Sequence, residues 1–127
     1  MKLYVGRKKT AKAVVAVRSG SGIMSINNCP INKTFFNDIS IRNIIEDSIN
    51  ITSSRKLYNF KVKVSGGGLL AQAQAISFAL AKFLINLSLA HKPILKKLGF
   101  LKSDARIKER KKTGKPKARK SFQFSKR

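Results

Sequence analysis

Few residues of this 127-residue sequence are of types that catalyse reactions. The only histidine is His91, the only cysteine is Cys29, and the five acidic side chains are scattered. No Ser, His and Asp set and no pair of carboxylates has a spacing typical of nucleophilic or general acid–base catalysis. One histidine and one cysteine also fall short of the about four ligands of a structural zinc site. The sequence therefore predicts no catalytic site, no metal and no cofactor.

A glycine run is the one segment that suggests a nucleotide-binding loop. Gly66, Gly68 and Ala71 match the pattern G-x-G-x-x-A between a predicted strand and a predicted helix. No acidic residue follows at about 20 positions, and the G-K-S/T of a Walker-type loop is absent. We therefore interpret these glycines as residues that allow positive φ and close approach of the backbone. Free amides at the start of the helix can still hold a phosphate, including one of a nucleic acid.

Basic residues dominate the remaining chemistry. Twenty-eight Lys and Arg face five Asp and Glu, which gives a net charge of +23 and a pI near 11.1. Such a chain repels itself unless a polyanion accompanies it, and nucleic acid is favoured over an anionic membrane surface. No zinc finger, heptad repeat or helix-turn-helix is present, and a compact body with a basic arm suits a large folded RNA.

The densest basic clusters are "GRKKTAK" near the N-terminus and "RIKERKKTGKPKARK" near the C-terminus. Each cation can neutralise one phosphate and release a condensed counterion, so binding should weaken steeply with salt. The cations predicted to bind RNA in these clusters are Arg7, Lys8, Lys9, Lys12, Arg106, Arg110, Lys111, Lys112, Lys115, Lys117, Arg119 and Lys120.

The apolar pattern predicts a small α+β fold of the order β-β-α-β-α, with helices packed on one sheet. We expect a hairpin from strands 13–18 and 23–27, and "NKTFFND" as a turn or helical loop. A helix should follow "SIRNIIEDSIN", capped by Asp38 or Ser40, then the alternating strand "LYNFKVKVS". Residues 69–90 are predicted to form one long helix. Apolar residues become rare after Leu101, so we predict a body of residues 1–101 and an extended basic tail of residues 102–127.

Targeting and membrane signals are weak. Residues 69–90 are long enough to span a bilayer, but their polar side chains and the flanking strand favour a core helix. The apolar run at 13–17 is too short for a signal peptide, so we expect the chain to act where it is made or after processing. With Cys29 alone, no intrachain disulfide forms, which indicates a reducing compartment.

Three segments resemble the family of the ninth protein of the small ribosomal subunit, in its bacterial and organellar form. They are "VGRKKTAKAVVAV", "VKVSGGGLLAQAQAISFALAKFL" and "LKKLGFLKSDARIKERKKTGKPKARKSFQFSKR". The Gly-Gly-Gly of the family pattern falls on Gly66, Gly67 and Gly68, and its Gln falls on Gln72. A basic position later in that helix falls on Lys82. The sequence departs from the pattern at Leu70, Ala71, Phe83 and Ser103.

The resemblance implies a structural protein that binds the small-subunit rRNA in the head, or 3′ major domain, beside neighbouring head proteins. It implies a fold of the kind shared with the second domain of ribosomal protein five, without catalysis, membrane or homo-oligomer. The tail would reach the transfer RNA in the peptidyl site with Ser125, Lys126 and Arg127. Extended, residues 106–127 reach roughly 65 to 75 Å. We expect this tail to be ordered by surrounding RNA, with Phe122 and Phe124 stacking or packing there.

Two other functions are alternatives to a structural ribosomal role. The first alternative is a free basic nucleic-acid-binding or RNA-chaperone protein, and the second is a small nucleotide-using enzyme built on the glycine run. Abundant Ile, Asn, Lys and Ser suggest the cytoplasmic ribosome of a low-GC bacterium, with an organelle-encoded mitochondrial or plastid protein as the alternative.

Overall fold

A five-stranded sheet with helices packed on it forms the body of the protein, in a computed structural model that describes residues 2–31, 38–52, 54–103 and 106–126. The strands are β1 (Lys2–Lys8), β2 (Ala11–Ser19), β3 (Met24–Ile26), β4 (Cys29–Pro30) and β5 (Tyr58–Ser65). The helices are α1 (Ile39–Asn50), α2 (Leu69–Leu87) and α3 (His91–Lys97), with a 3₁₀ turn at Ser54–Leu57. The predicted mixed α+β class is confirmed. Most of "NKTFFND" lies outside the described residues.

The predicted hairpin of strands 13–18 and 23–27 is wrong. The order across the sheet is β1-β2-β5-β3-β4, so β5 lies between the two strands that we expected to pair. β2 pairs antiparallel with β1 and with β5, whereas β3 pairs parallel with β5. The loop after β2 crosses the start of β5, where the Asn59 side chain accepts from the amides of Ser21 and Ile23 at 2.9 and 3.0 Å. The chain between β2 and β3 is therefore a crossover past β5, held by a residue distant in sequence, and not a hairpin turn.

One side of the sheet is apolar and supports α2. β5 alternates as the sequence predicts, with Phe60, Val62 and Val64 buried and the lysines between them exposed. β2 buries Ala11, Ala13, Val15 and Val17 on the same side. Helix α2 lies against this side and contributes nine buried residues. It is the one described helix that is long and apolar enough to cross a membrane, but half of that window is buried inside the protein. We therefore assign α2 as the core helix.

The helix boundaries follow local capping chemistry. The Asp38 carboxylate accepts from the Ser40 amide at 2.9 Å, so Asp38 caps α1. The predicted helix over 69–90 is too long, because α2 ends at Leu87 and α3 begins at His91. At the end of α3, Gly99 has φ +82, and the Phe100 amide donates to the carbonyl of Leu95 at 3.0 Å. This Schellman ending returns Phe100 to the core.

Phe83, which departs from the family pattern, is the centre of an aromatic cluster. Its ring makes edge contacts with Tyr4, Tyr58 and Phe60, at centroid distances of 5.6, 5.1 and 5.8 Å. Edge-to-face pairs of this kind stabilise beyond their buried area. The bulkier residue is therefore accommodated by contacts between α2, β1 and β5.

Candidate nucleic-acid interface

Two basic and polar segments that are distant in sequence meet at one end of the sheet. Arg7 and Lys8 end β1, Lys9 lies in the turn with φ +52, and Lys12 lies in β2. In the sheet register Lys12 is opposite Ser65, the last residue of β5 before the glycine run. The fold thus places the N-terminal cations beside the turn that starts α2.

Close backbone packing holds these two turns together. Gly66 and Gly67 have φ values of +75 and +67, a region that favours glycine. A Cβ on Gly66 would lie 2.6 Å from the carbonyl oxygen of Thr10, and one on Gly67 would lie 3.0 Å from the Cβ of Ala11. Gly68 differs, with φ −90 and no atom within 4 Å of an added Cβ. The expectation of positive φ and close approach therefore holds for Gly66 and Gly67 and is wrong for Gly68.

The first turn of α2 is suited to an anion. Gly68 is the N-cap and makes no side-chain cap, and the first turn contains no acidic residue. The side-chain amide of Gln72 donates to the Gly66 carbonyl at 3.0 Å, which fixes the glycine turn against the helix. Uncapped amides and the positive end of the helix dipole attract negative charge, and the cations of the β1–β2 turn lie alongside.

The open face of the sheet, turned away from α2, is both basic and apolar. Lys61 and Lys63 of β5 lie on it, together with Arg18 of β2. A groove of about 590 Å³ runs between these cations, with Leu3 and Ile23 among its exposed apolar residues. No binding role was predicted for Lys61, Lys63 or Arg18. The alternation of β5 was the signal for the first two.

Lys82 joins α2 to the edge strand of the sheet. Its ammonium group donates to the carbonyl of Val5 at 2.7 Å and lies 4.8 Å from the centre of the Phe78 ring. The Lys82 side chain is nevertheless exposed, and an ammonium group has three donors. A structural contact and a phosphate contact are therefore compatible for this residue.

The C-terminal cations lie in a segment without helix or strand among its described residues, 106–126. This segment is not extended throughout. Glu109 accepts from Arg119 at 2.9 Å and pairs with Lys112 at 3.2 Å, around a turn at Gly114 with φ +76. The Lys115 ammonium donates to the Ser121 hydroxyl at 3.3 Å. These ion pairs are exposed, and exposed pairs contribute about 1 kcal/mol or less.

The other predicted tail residues face solvent. Phe122 and Phe124 are exposed and make no described ring contact, and Ser125 and Lys126 are also exposed. Arg127 lies outside the described residues. The exposed cations of the segment that we predicted to bind RNA are Arg106, Arg110, Lys111, Lys112, Lys117, Arg119 and Lys120, while Lys115 is half-buried.

Gly6 is a structural residue that sequence analysis missed. It is buried in β1 at the contact with α2, where an added Cβ would lie 2.0 Å from the carbonyl oxygen of Ala75. In the sequence, Gly6 was noted only as the first residue of the basic motif "GRKKTAK". An isolated glycine inside an alternating strand was the available signal, since it indicates close backbone approach.

Comparison with known proteins gives one consistent result. The family model described as ribosomal protein S9/S16 matches residues 6–127. A protein of Azobacteroides pseudotrichonymphae named small ribosomal subunit protein uS9 is 42% identical over 123 residues, covering 97% of this chain and 95% of that protein. The uS9 protein of Methylacidiphilum infernorum is 42% identical over 122 residues, covering 96% and 89%. A protein of Cyanidium caldarium named uS9c is 42% identical, covering 96% and 95%.

Proposed function

This chain belongs to the ribosomal protein S9/S16 family, and from that premise we propose that it binds the RNA of the small-subunit head, the 3′ major domain. Proteins of this family are structural constituents of the small ribosomal subunit and not enzymes. The protein acts in translation by holding RNA and neighbouring head proteins in place.

The observation that carries the RNA-binding proposal is the meeting of the β1–β2 turn with the start of α2. Lys9 and Lys12 lie beside an uncapped helix N-terminus, and Gly66 and Gly67 allow the two turns to touch. Cations and free amides on one surface suit a phosphate backbone, because both favour anionic oxygens. Lys82 and the cations of residues 106–120 extend the proposed contact area.

We also propose that residues 1–101 act as the body and residues 102–127 as an RNA-bound tail. Phe100 and Leu101 pack against the core, whereas the described residues from 106 onward are mainly exposed. RNA phosphates compete with Glu109 for Arg119, and the exposed ion pair is weak enough to open. Ser125, Lys126 and Arg127 then approach the transfer RNA of the peptidyl site. The body takes the fold shared with the second domain of ribosomal protein five.

Sedimentation separates this function from that of a free nucleic-acid-binding protein. We expect the chain to travel with small subunits at moderate salt. Recovery only in the light, unassembled fraction would favour the RNA-chaperone alternative. The composition favours the ribosome of a low-GC bacterium over a mitochondrial or plastid ribosome.

A matched pair of double variants tests the proposed surface. Lys9→Gln with Lys12→Gln should reduce the salt dependence of RNA binding by about 0.7 to 0.9 in log–log slope for each lost phosphate contact. Lys56→Gln with Lys92→Gln removes the same charge from positions outside the proposed surface. Equal losses in both pairs would mean that net charge, and not this surface, determines binding.

A further inference from the structure

The open face of the sheet carries an apolar column beside a cationic column. Two rows of residues cross β1, β2 and β5 in register on this face, namely Leu3, Ala16 and Lys61 in the first row and Val5, Val14 and Lys63 in the second. Alternate residues of a strand lie on the same face, so both rows point away from α2. The apolar column therefore follows β1 and β2, and the cationic column follows β5.

No described helix covers this face. Helices α1 and α3 pack against α2, which lies on the opposite side of the sheet. Leu3 is 60% exposed and Val5 is 37% exposed, while Val14 and Ala16 are half-buried. The groove of about 590 Å³ is lined only by residues of β1, β2, β3 and β5 and by Ile23, just before β3. Contiguous exposed apolar side chains of this kind mark an interaction surface.

The cationic column determines the charge that a partner must carry. Lys61 and Lys63 are exposed, and neither forms an ion pair with an acidic side chain of the described residues. Arg18 adds a third cation to the lining of the groove. Because the chain has a net charge of +23, a second copy would be repelled from this face, and so would the basic residues 106–126. The face therefore suits a different and acidic molecule.

The apolar column distinguishes a protein partner from RNA. RNA phosphates would neutralise the lysines but would leave Leu3, Val5 and Val14 against a polar backbone. A protein can bury these side chains and place carboxylates beside the lysines at the rim of the interface. An apolar stripe with an acidic flank complements both columns.

The dimensions of the face favour a helix as the docking element. A helix satisfies its own backbone hydrogen bonds, whereas a single strand laid on the face would leave its backbone groups unpaired. A helix is about 10 to 12 Å wide and strands are about 4.8 Å apart, so a helix over β1 and β2 has one flank beside β5. Lys61 and Lys63, two residues apart on a strand, are separated by about 6.8 Å, which matches the rise of about 6 Å between positions i and i+4 of a helix.

We propose that the open face of the sheet binds an amphipathic helix of a neighbouring protein in the small subunit. The apolar stripe of that helix packs on β1 and β2, and its acidic residues face Lys61 and Lys63. The proposal rests on the ribosomal function proposed above and assigns this face to protein, apart from the RNA-binding surface at the glycine turn. The sheet is then covered on both sides, by α2 and by the partner helix.

A designed peptide tests the chemistry of the face on the full-length, isotope-labelled chain. This Glu peptide is a helix of about 18 residues, with leucines at i, i+3, i+4 and i+7 in one stripe and glutamates at i and i+4 beside it. We expect saturable shifts of the amide signals of Leu3, Ala16 and Lys61. A Gln peptide, with Gln in place of every Glu, should bind about fivefold more weakly at low salt. An oligouridylate should not shift these amides.

Matched variants identify the residues responsible. Lys61→Gln with Lys63→Gln should weaken binding of the Glu peptide about fivefold and leave binding of the Gln peptide unchanged. Lys56→Gln with Lys92→Gln removes the same charge outside the face and should change neither affinity. Leu3→Ala should weaken both peptides about threefold, because it removes apolar area that both of them contact.

Photo-crosslinking identifies the occupant in assembled small subunits. Benzoylphenylalanine is placed at the position of Leu3 and, as a control, at that of Ile94, an exposed apolar residue of α3. The adduct at Leu3 should contain a protein peptide with apolar residues at helical spacing beside acidic residues. The control position should not give this peptide, and Lys61→Gln with Lys63→Gln should lower its yield.

Several results would overturn the docking site. They are absence of saturable shifts with the Glu peptide, equal affinities of the two peptides, equal shifts with the oligouridylate, and an adduct at Leu3 that contains only RNA or does not form. If the wild-type chain travels with small subunits while any of these results is obtained, the docking site fails and the proposed function stands. If the wild-type chain is absent from small subunits, the function itself fails.

Discussion

Gly6 of β1 lies directly under the carbonyl oxygen of Ala75 in α2, so closely that an added Cβ would come within 2.0 Å of that oxygen. The same Cβ would lie 2.8 Å from the amide nitrogen of Ala79. Both neighbours are backbone atoms of a buried helix and cannot move independently. The absence of a side chain at Gly6 therefore sets the distance between the sheet and the core helix.

We predict that Gly6→Ala destabilises the protein by about 1 to 3 kcal/mol or more, because the methyl group must push α2 away from the sheet. Urea denaturation of the free protein measures this loss. Leu3→Ala, at an exposed position of the same strand, is the control and should change the free energy of unfolding by about 0.5 kcal/mol or less. Equal stability of the two variants would show that the helix adjusts without cost.

The glycine turn should tolerate substitution unequally. Gly66→Val and Gly67→Val should lower stability by over about 1 kcal/mol, since both residues have positive φ and contact the β1–β2 turn. Gly68→Val should cost less, because Gly68 has an ordinary φ and open space around it. Melting curves and incorporation into small subunits are the measurements. An equal loss at all three positions would contradict the assigned geometry.

The sequence predicts individual helices and strands of this fold better than it predicts which strands pair with each other. The alternation of β5 and the apolar run of α2 are encoded within each segment, and both elements form as expected. Pairing of β3 with β5 joins Met24 to Phe60, 36 positions later, and no local turn pattern encodes that choice. β1 was missed because its short run mixes lysine, arginine and glycine with its apolar residues.

The candidate interface shows the same limit. Its cations and glycines are visible in the sequence as separate clusters, but the contact of Gly66 with Thr10 exists only after β2 and β5 pair. A cavity of about 230 Å³ beside Arg7 was not predictable either, because its walls come from β1, α2 and the chain after α3.

Lys82 allows structural and RNA-binding roles to be separated by experiment. Lys82→Met should lower stability by about 1 kcal/mol, through loss of the hydrogen bond to the Val5 carbonyl. If Lys82 also contacts a phosphate, the log–log salt slope of RNA binding should fall by about 0.7 to 0.9. Loss of stability with an unchanged slope would restrict Lys82 to joining α2 to β1.

Glu109 should restrain the cations around it. Glu109→Gln releases Arg119 and Lys112 from their ion pairs, so we expect tighter RNA binding and a steeper salt dependence. The melting temperature should not change, because the pairs are exposed. Glu46→Gln in α1 makes the same change of charge at an ion pair with Arg42 and is the matched control. A similar gain in RNA affinity from both variants would indicate an effect of net charge alone.

The last two residues test the proposed reach to the transfer RNA. Deleting Lys126 and Arg127 should leave subunit assembly largely intact, because Lys126 and the preceding residues from Phe122 onward are exposed and pack on no part of the core. Transfer-RNA binding in the peptidyl site should weaken, and its salt slope should fall by about 0.7 to 0.9 for each lost contact. Filter binding of transfer RNA to purified subunits measures this affinity and its salt slope.

Replacing both residues with Gln, which keeps the length, should reproduce the loss if charge is the cause. Lys56→Gln with Lys92→Gln should not weaken this binding. Unchanged transfer-RNA affinity after the deletion would refute the proposed role of the terminal residues.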